Sequence, residues 1–401
     1  MTSEAGASRK GSRPAHDPCP SCGLAGLEVF YEQRGVPSHS CLLLQSPDEA
    51  RAFPKGDIRL GLCQSCGFIT NTAYDPTLQA YSERFEESQG FSPRFREFAE
   101  ELAGRIVEKY GLHGKTVLEI GCGKGEFLAL ICEIGEMTGV GIDPAFIDNR
   151  LEGEVRDRVS FIPEFFSDKH AHLVGDLVLC RHTLEHIPDT AAFLHLVRRS
   201  IRSTDTVVVF ELPDAGRVLR EAAFWDIYYE HCSYFTPGSL LRLFRLSGFD
   251  VLDVGLDYDD QYILIEARAS VGEPSRAASE LEDTPEGIAE AIESFQEKLS
   301  RRKTELEKLG RGGRRTVIWG AQSKGVAFLT TLEMASEIEY AVDINPFKHD
   351  TYMAGTGQRV VAPEFLREYQ PELVVAMNPI YLDEIQKDLD RLGVRAELTA
   401  V

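Results

Sequence analysis

Val117-Leu118-Glu119-Ile120-Gly121-Cys122-Gly123-Lys124-Gly125-Glu126-Phe127 decides the fold, because an apolar run stops at three closely spaced glycines and a helical pattern begins. Gly121 and Gly123 permit a tight turn and close ligand approach, and Gly125 opens a helix led by Phe127, Leu128, Leu130 and Ile131. The next apolar segment, Gly139-Val140-Gly141-Ile142, ends in Asp143, about 20 residues beyond the turn, which fits a strand-tip acid gripping two ribose hydroxyls. The turn is read as a nucleotide site.

A nicotinamide enzyme needs Gly-x-Gly-x-x-Gly, so that pyrophosphate can rest on the helix N-terminus, but position 126 is Glu. Glu119 before the turn, Gly-x-Gly-x-Gly within it and Asp143 after it resemble a class I S-adenosylmethionine (SAM) methyltransferase. That resemblance assigns Glu119, Gly121, Gly123, Gly125 and Asp143 to the cofactor, together with Arg181 and His182 at a later strand tip. A carboxylate-rich mouth suits a ligand that bears a sulfonium and an ammonium. The competing reading is a doubly wound domain whose glycine turn carries no ligand.

The 401 residues are enough for two or three domains, and 43% hydrophobic residues suffice for buried cores. No apolar run reaches the roughly 18 to 20 residues of a membrane span, and the first residues lack a signal-peptide core. The expectation is a soluble cytoplasmic protein with a disordered tail over residues 1–16 and no membrane partner. A formal charge of −21 argues against nucleic acid, whose binding relies on basic side chains.

Cys19-Pro20-Ser21-Cys22-Gly23 and Cys63-Gln64-Ser65-Cys66-Gly67 repeat one knuckle, in which paired thiolates turn back on an ion and a glycine relieves the turn. One structural, tetrahedral four-cysteine Zn2+ site is expected in a module over 17–78, with no position open to water. A redox pair of Cys-x-x-Cys motifs is the alternative. Cys41 reads as a packed spare.

From residue 79 to 270 helical and strand-like patterns alternate. A helix from Pro93 to near Gly111 precedes the glycine turn, and strand runs follow at 159–162, 176–180, 206–212, 250–254 and 261–267. This is the rhythm of a doubly wound α/β sheet, with the last two runs forming an antiparallel pair. His186, in Leu184-Glu185-His186, falls at the carboxyl end of the sheet, where it either serves the ligand or only caps and packs.

Tyr228-Tyr229-Glu230-His231-Cys232-Ser233-Tyr234-Phe235 is the second chemical cluster. Tyr-x-Glu-His followed by Ser-Tyr-Phe resembles the nucleotide-sugar C-methyltransferases that act on 4-keto deoxysugars, and the resemblance spans nearly the whole chain. It implies catalytic roles for Tyr228, Glu230 and His231, with the histidine as base, and for Tyr81 and His186. The usual form has histidine where this chain has Tyr229. Carbon methylation requires a proton to leave beside a ketone, and a neutral imidazole suits that task. Glu230 or another carboxylate would orient His231, while Tyr228, His186 or Tyr81 would donate to the oxyanion. The bland alternative is an aromatic loop that merely packs.

After a linker and a long helix over 271–311, Arg315-Thr316-Val317-Ile318-Trp319-Gly320-Ala321-Gln322-Ser323-Lys324-Gly325 begins a second strand, turn and helix. Residues 312–401 therefore read as a second Rossmann-like domain, which the resemblance implies helps hold the nucleotide sugar. Ser323 and Lys324 are positioned to cradle a diphosphate, and Asn378 and Tyr381 fall on a loop of the same sheet. The leading function is SAM-dependent C-methylation of a nucleotide-linked 4-keto deoxysugar. The rivals are O-methylation of a sugar or natural-product scaffold, and a noncatalytic zinc and Rossmann binding scaffold.

Overall fold

The structure, a computed structural model, describes residues 18–79, 84–147, 150–151, 153–274 and 279–401. Tyr81 lies outside the described residues.

Three sheets organise the described residues. The central one has seven strands in the order 249–257, 262–269, 207–213, 177–181, 116–120, 138–142, 159–162. All neighbours are parallel except at Tyr262–Ala269, which runs antiparallel to both of its partners. Strand order reverses about Thr116–Ile120, so a crevice opens at its carboxyl end, where ligands of doubly wound sheets bind. The strands are apolar on both faces because helices cover both: Val207 to Leu212 are all buried.

Local chemistry sets the helix bounds. Ser92 Oγ accepts from Phe95 N at 3.2 Å, Pro93 fills the first turn, and Gly111 takes the left-handed conformation that ends the helix Pro93–Tyr110. Its buried stripe of Phe98, Leu102, Ile106 and Val107 packs on the sheet, and full burial of one such side chain contributes about 1.5–3 kcal/mol. Pro285–Arg311, capped by Thr284, lays Ile288, Ile292, Phe295 and Leu306 into the protein's own core, the packed outcome of an amphipathic stripe.

Residues 316–400 form a five-stranded, fully parallel sheet in the order 359–361, 340–342, 316–319, 373–376, 397–400. Its carboxyl edge faces that of the central sheet. Asp343 sits at the end of its second strand as Asp143 does in the first unit. Each accepts from an amide of the preceding turn and from one two residues on: Gly123 and Ala145 for Asp143, Ala321 and Asn345 for Asp343.

The front sheet pairs Leu27–Pro37, Lys55–Cys63 and Ile69–Asn71 antiparallel, and its fourth strand is Ser233–Tyr234. The cysteine module is thus stitched to the loop that follows His231. Among the described residues no helix is long and apolar enough to cross a membrane.

Candidate active site

A cavity of about 890 Å³ lies where the central sheet, the C-terminal sheet and the front module meet. Its floor is the glycine turn. Gly121, Gly123 and Gly125 all have positive φ, at 73°, 54° and 81°, and a Cβ on Gly121 or Gly125 would strike Thr183 or Phe161. Only glycine fits.

Asp143 accepts from Gly123 N at 2.9 Å and Ala145 N at 2.7 Å, so two amides fix its carboxylate at the strand tip. Burial raises its pKa against those hydrogen bonds. Burial likewise lifts Glu119 to about 7, although Arg181 pulls it down. Lys124 turns inward and donates to Ala145 O at 2.8 Å.

Arg181 donates to Glu211 Oε1 at 2.8 Å and stacks 3.8 Å over the Phe127 ring. His182, left-handed at φ 47°, brings Nε2 to 2.8 Å from the same oxygen in ion-pair contact. Burial opposes its charge, but Glu185 and Glu211 prevail and hold it up at about 9. The glutamates were invisible as partners in sequence, since Glu211 is 30 residues from Arg181.

The aromatic cluster converges at the other side of the cavity. The His231 ring lies 4.1 Å from Tyr228 and 4.9 Å from His186, centroid to centroid. Burial, with His186 and His182 adding to it, pushes the His231 pKa well below its ordinary value, so the imidazole is neutral. Burial, Asp226 and Glu230 push the Tyr228 phenol up, keeping it a donor.

Glu230 does not meet His231. Its carboxylate instead accepts from Ser40 N at 3.0 Å and Ser40 Oγ, and contacts His39 Nδ1 at 3.3 Å. The carboxylate beside His231 is Glu185, with Oε1 at 4.0 Å from Nε2. Glu185 is 2% exposed and neither oxygen has a hydrogen-bond partner among the described residues. The signal for it was the Leu184-Glu185-His186 stretch, in which only the histidine drew notice. Tyr229 turns away, packing its ring on Gly56 and accepting from Asp75 N at 2.8 Å.

From the C-terminal unit, Ser323 Oγ lies 2.7 Å from Ser40 Oγ, whose own proton goes to Glu230, and Lys324 pairs with Asp226, which also holds Arg217. Asn378 exchanges amide hydrogen bonds with Gln261, and Tyr381 Oη lies 2.8 Å from Tyr258 Oη. All four line the cavity while serving as contacts between units.

Among the described residues two groups bring potential metal ligands together. Cys19, Cys22, Cys63 and Cys66 bring their sulfurs within 4.8 Å of one another, with Cys19–Cys66 at 3.8 Å and Cys22–Cys63 at 3.7 Å. A tetrahedron with arms of about 2.3 Å has edges of about 3.8 Å, so four thiolates on one ion fit. Glu185, His186 and His231 also converge within 4.8 Å.

Residues 94–254 match the methyltransferase domain family, and 276–396 match the C-methyltransferase C-terminal domain. The chain carries a class I SAM-dependent methyltransferase domain followed by a C-methyltransferase C-terminal domain, which sets aside the noncatalytic scaffold. It is similar to C-methyltransferase NovU of Streptomyces niveus, at 28% identity over 364 residues, covering 86% of this chain and 85% of that protein. A shorter likeness, 34% over 121 residues, covers 28% of this chain and half (50%) of the ubiquinone biosynthesis O-methyltransferase of Citrobacter koseri. Among solved structures, the 1,6-didemethyltoxoflavin-N1-methyltransferase of Burkholderia thailandensis, holding S-adenosylhomocysteine, has TM-score 0.33 and 19% identity, covering 44% of this chain and 80% of that one.

Proposed function

We propose that the protein methylates a carbon beside the ketone of a nucleotide-linked 4-keto deoxysugar, with His231 as the base. The observation that carries this reading is a neutral, buried His231 grouped with Tyr228, His186 and Glu185 in the same cavity as the glycine turn. His231 takes the proton from the carbon next to the carbonyl, and the bond electrons pass to the ketone oxygen. Tyr228 and His186 supply hydrogen bonds to that oxyanion. The enolate carbon then bonds the sulfonium methyl, the S–CH3 bond breaks, and S-adenosylhomocysteine leaves neutral at sulfur. Glu185 compensates the imidazolium until its proton returns to solvent.

Asp143 takes the cofactor ribose, with Glu119, Arg181 and His182 forming the polar wall behind the glycine turn. Lys324 and Ser323 face the diphosphate, and Asn378 and Tyr381 frame the nucleotide side. The four cysteines hold one structural Zn2+. The family match at 276–396 favours carbon over oxygen as acceptor, since the likeness to an O-methyltransferase covers only 28% of this chain.

The test is mass spectrometry of the protein with SAM and dTDP-linked 4-keto-6-deoxy or 2,6-dideoxy sugars in D2O. Methyl gain on carbon, with solvent deuterium in recovered ketosugar, supports the proposal. Absence of both while SAM binds overturns the substrate assignment.

A further inference from the structure

Residues 84–92 run across the cofactor side of the cavity and are tied to all three units. Glu86 donates its amide to Cys41 O at 2.8 Å and accepts from Asn345 Nδ2 at 2.9 Å and from Arg150. Ser88 Oγ donates to Glu126 Oε2 at 2.7 Å on the helix after the glycine turn, and Ser92 Oγ donates to Glu384 Oε2 at 2.8 Å.

Between these anchors Glu87 lies directly on the turn, its Oε1 2.5 Å from where a Cβ on Gly123 would stand. Its Oε2 is buried and has no hydrogen-bond partner among the described residues. The nearby Lys124 ammonium donates to Ala145 O and reaches Glu87 only through its charge, without a hydrogen bond to Oε2. A buried acceptor left unpaired keeps its full desolvation cost, larger still when charged, so such a group in a ligand site marks a donor that the ligand brings.

We propose that Glu87 accepts the α-ammonium of the cofactor's methionine moiety. The inference rests on the cofactor site read at Gly121 to Asp143. SAM carries one group with three N–H donors and a positive charge, and an ammonium on a carboxylate is a strong, charge-assisted pair. Adenine and ribose offer neutral donors, and Asp143 already stands at the strand tip for the ribose. Burial pushes the Glu87 carboxyl up to about 7 against the pull of Lys124, and an arriving cation opposes that shift.

Calorimetry with two ligands on full-length protein tests this. 5′-Methylthioadenosine keeps the adenine, ribose and sulfur of SAM but lacks the amino acid arm. Glu87→Gln should weaken SAM about 10- to 100-fold, the worth of a hydrogen bond between charged groups, and leave methylthioadenosine within about twofold. Equal losses for both ligands, or none for SAM, overturn the proposal. A second measurement needs no variant: on the wild type, the 2-oxo acid analogue of S-adenosylhomocysteine, in which a ketone oxygen replaces the ammonium, should bind about tenfold or more weaker than the parent. Equal affinity overturns the proposal. Failure of the cofactor site itself reads differently, as wild-type SAM affinity indifferent to Asp143→Ala.

Discussion

The carboxamides of Gln261 and Asn378 exchange two hydrogen bonds, Asn378 Nδ2 donating to Gln261 Oε1 at 2.9 Å and Gln261 Nε2 to Asn378 Oδ1 at 3.2 Å. Both residues are buried, so the pair clamps the start of a central strand to the C-terminal sheet. Asn378→Ala should strand the Gln261 amide and cost about 1–3 kcal/mol. Calorimetric unfolding should show the drop, and the Gln261→Ala, Asn378→Ala double variant should lose less than the sum of the singles.

Asp143→Ala removes a carboxylate that organises two amides, Gly123 N and Ala145 N. SAM affinity should fall at least about 10²-fold by titration calorimetry, at about 1.5–3 kcal/mol for each hydrogen bond to a charged group. Unchanged affinity would remove Asp143 from the cofactor site.

His231→Gln should cut turnover by about 10²–10⁴-fold while SAM binding stays intact. Because burial lowers the His231 pKa well below its usual value, protonation disables the base only under that value. The acid limb of kcat/KM should therefore lie below pH 6.5 in the wild type. Glu185→Gln should lower kcat and shift that limb further, without changing the SAM Kd.

His182 carries the opposite sign. Its folded pKa of about 9 stands above the ordinary 6.5, so its stabilising contact with Glu185 and Glu211 is complete below pH 6.5 and is lost as pH rises through 9. Thermal stability should decline across that window, and His182→Gln should flatten the decline.

Lys324→Ala should raise the KM for the nucleotide sugar and spare SAM, since Arg217 still holds Asp226 when the lysine is gone. An unchanged KM would move the diphosphate elsewhere.

Much of the fold was legible because its signals are local. Three glycines with positive φ, a serine and proline at a helix start and apolar runs of strand length each announce themselves within a few residues. The strand runs read at 206–212 and 261–267 emerge as Val207–Pro213 and Tyr262–Ala269. What sequence hid was partnership across distance. Glu230 sits beside His231 in the chain, yet its carboxylate faces Ser40, 190 residues away. Tyr228 to His231 form a turn closed by His231 N donating to Tyr228 O at 3.2 Å, and within it the Glu230 and His231 side chains part to different partners, so adjacency in sequence did not make them a pair. Glu185 and Glu87 escaped notice because what marks them is buried carboxylate oxygens without hydrogen-bond partners among the described residues, which no sequence displays.

The strand Ser233–Tyr234 has a consequence for the order of assembly. Ile69 pairs with Tyr234, Thr70 with Ser233, and Asn71 N donates to Cys232 O at 2.9 Å, a closure spanning some 160 residues. During synthesis the N-terminal segment waits with the Ile69–Asn71 edge unpaired until the whole central sheet but its last two strands has emerged. His231 stands two positions before that strand, so the segment that carries it is fixed to the front module by this one long-range closure.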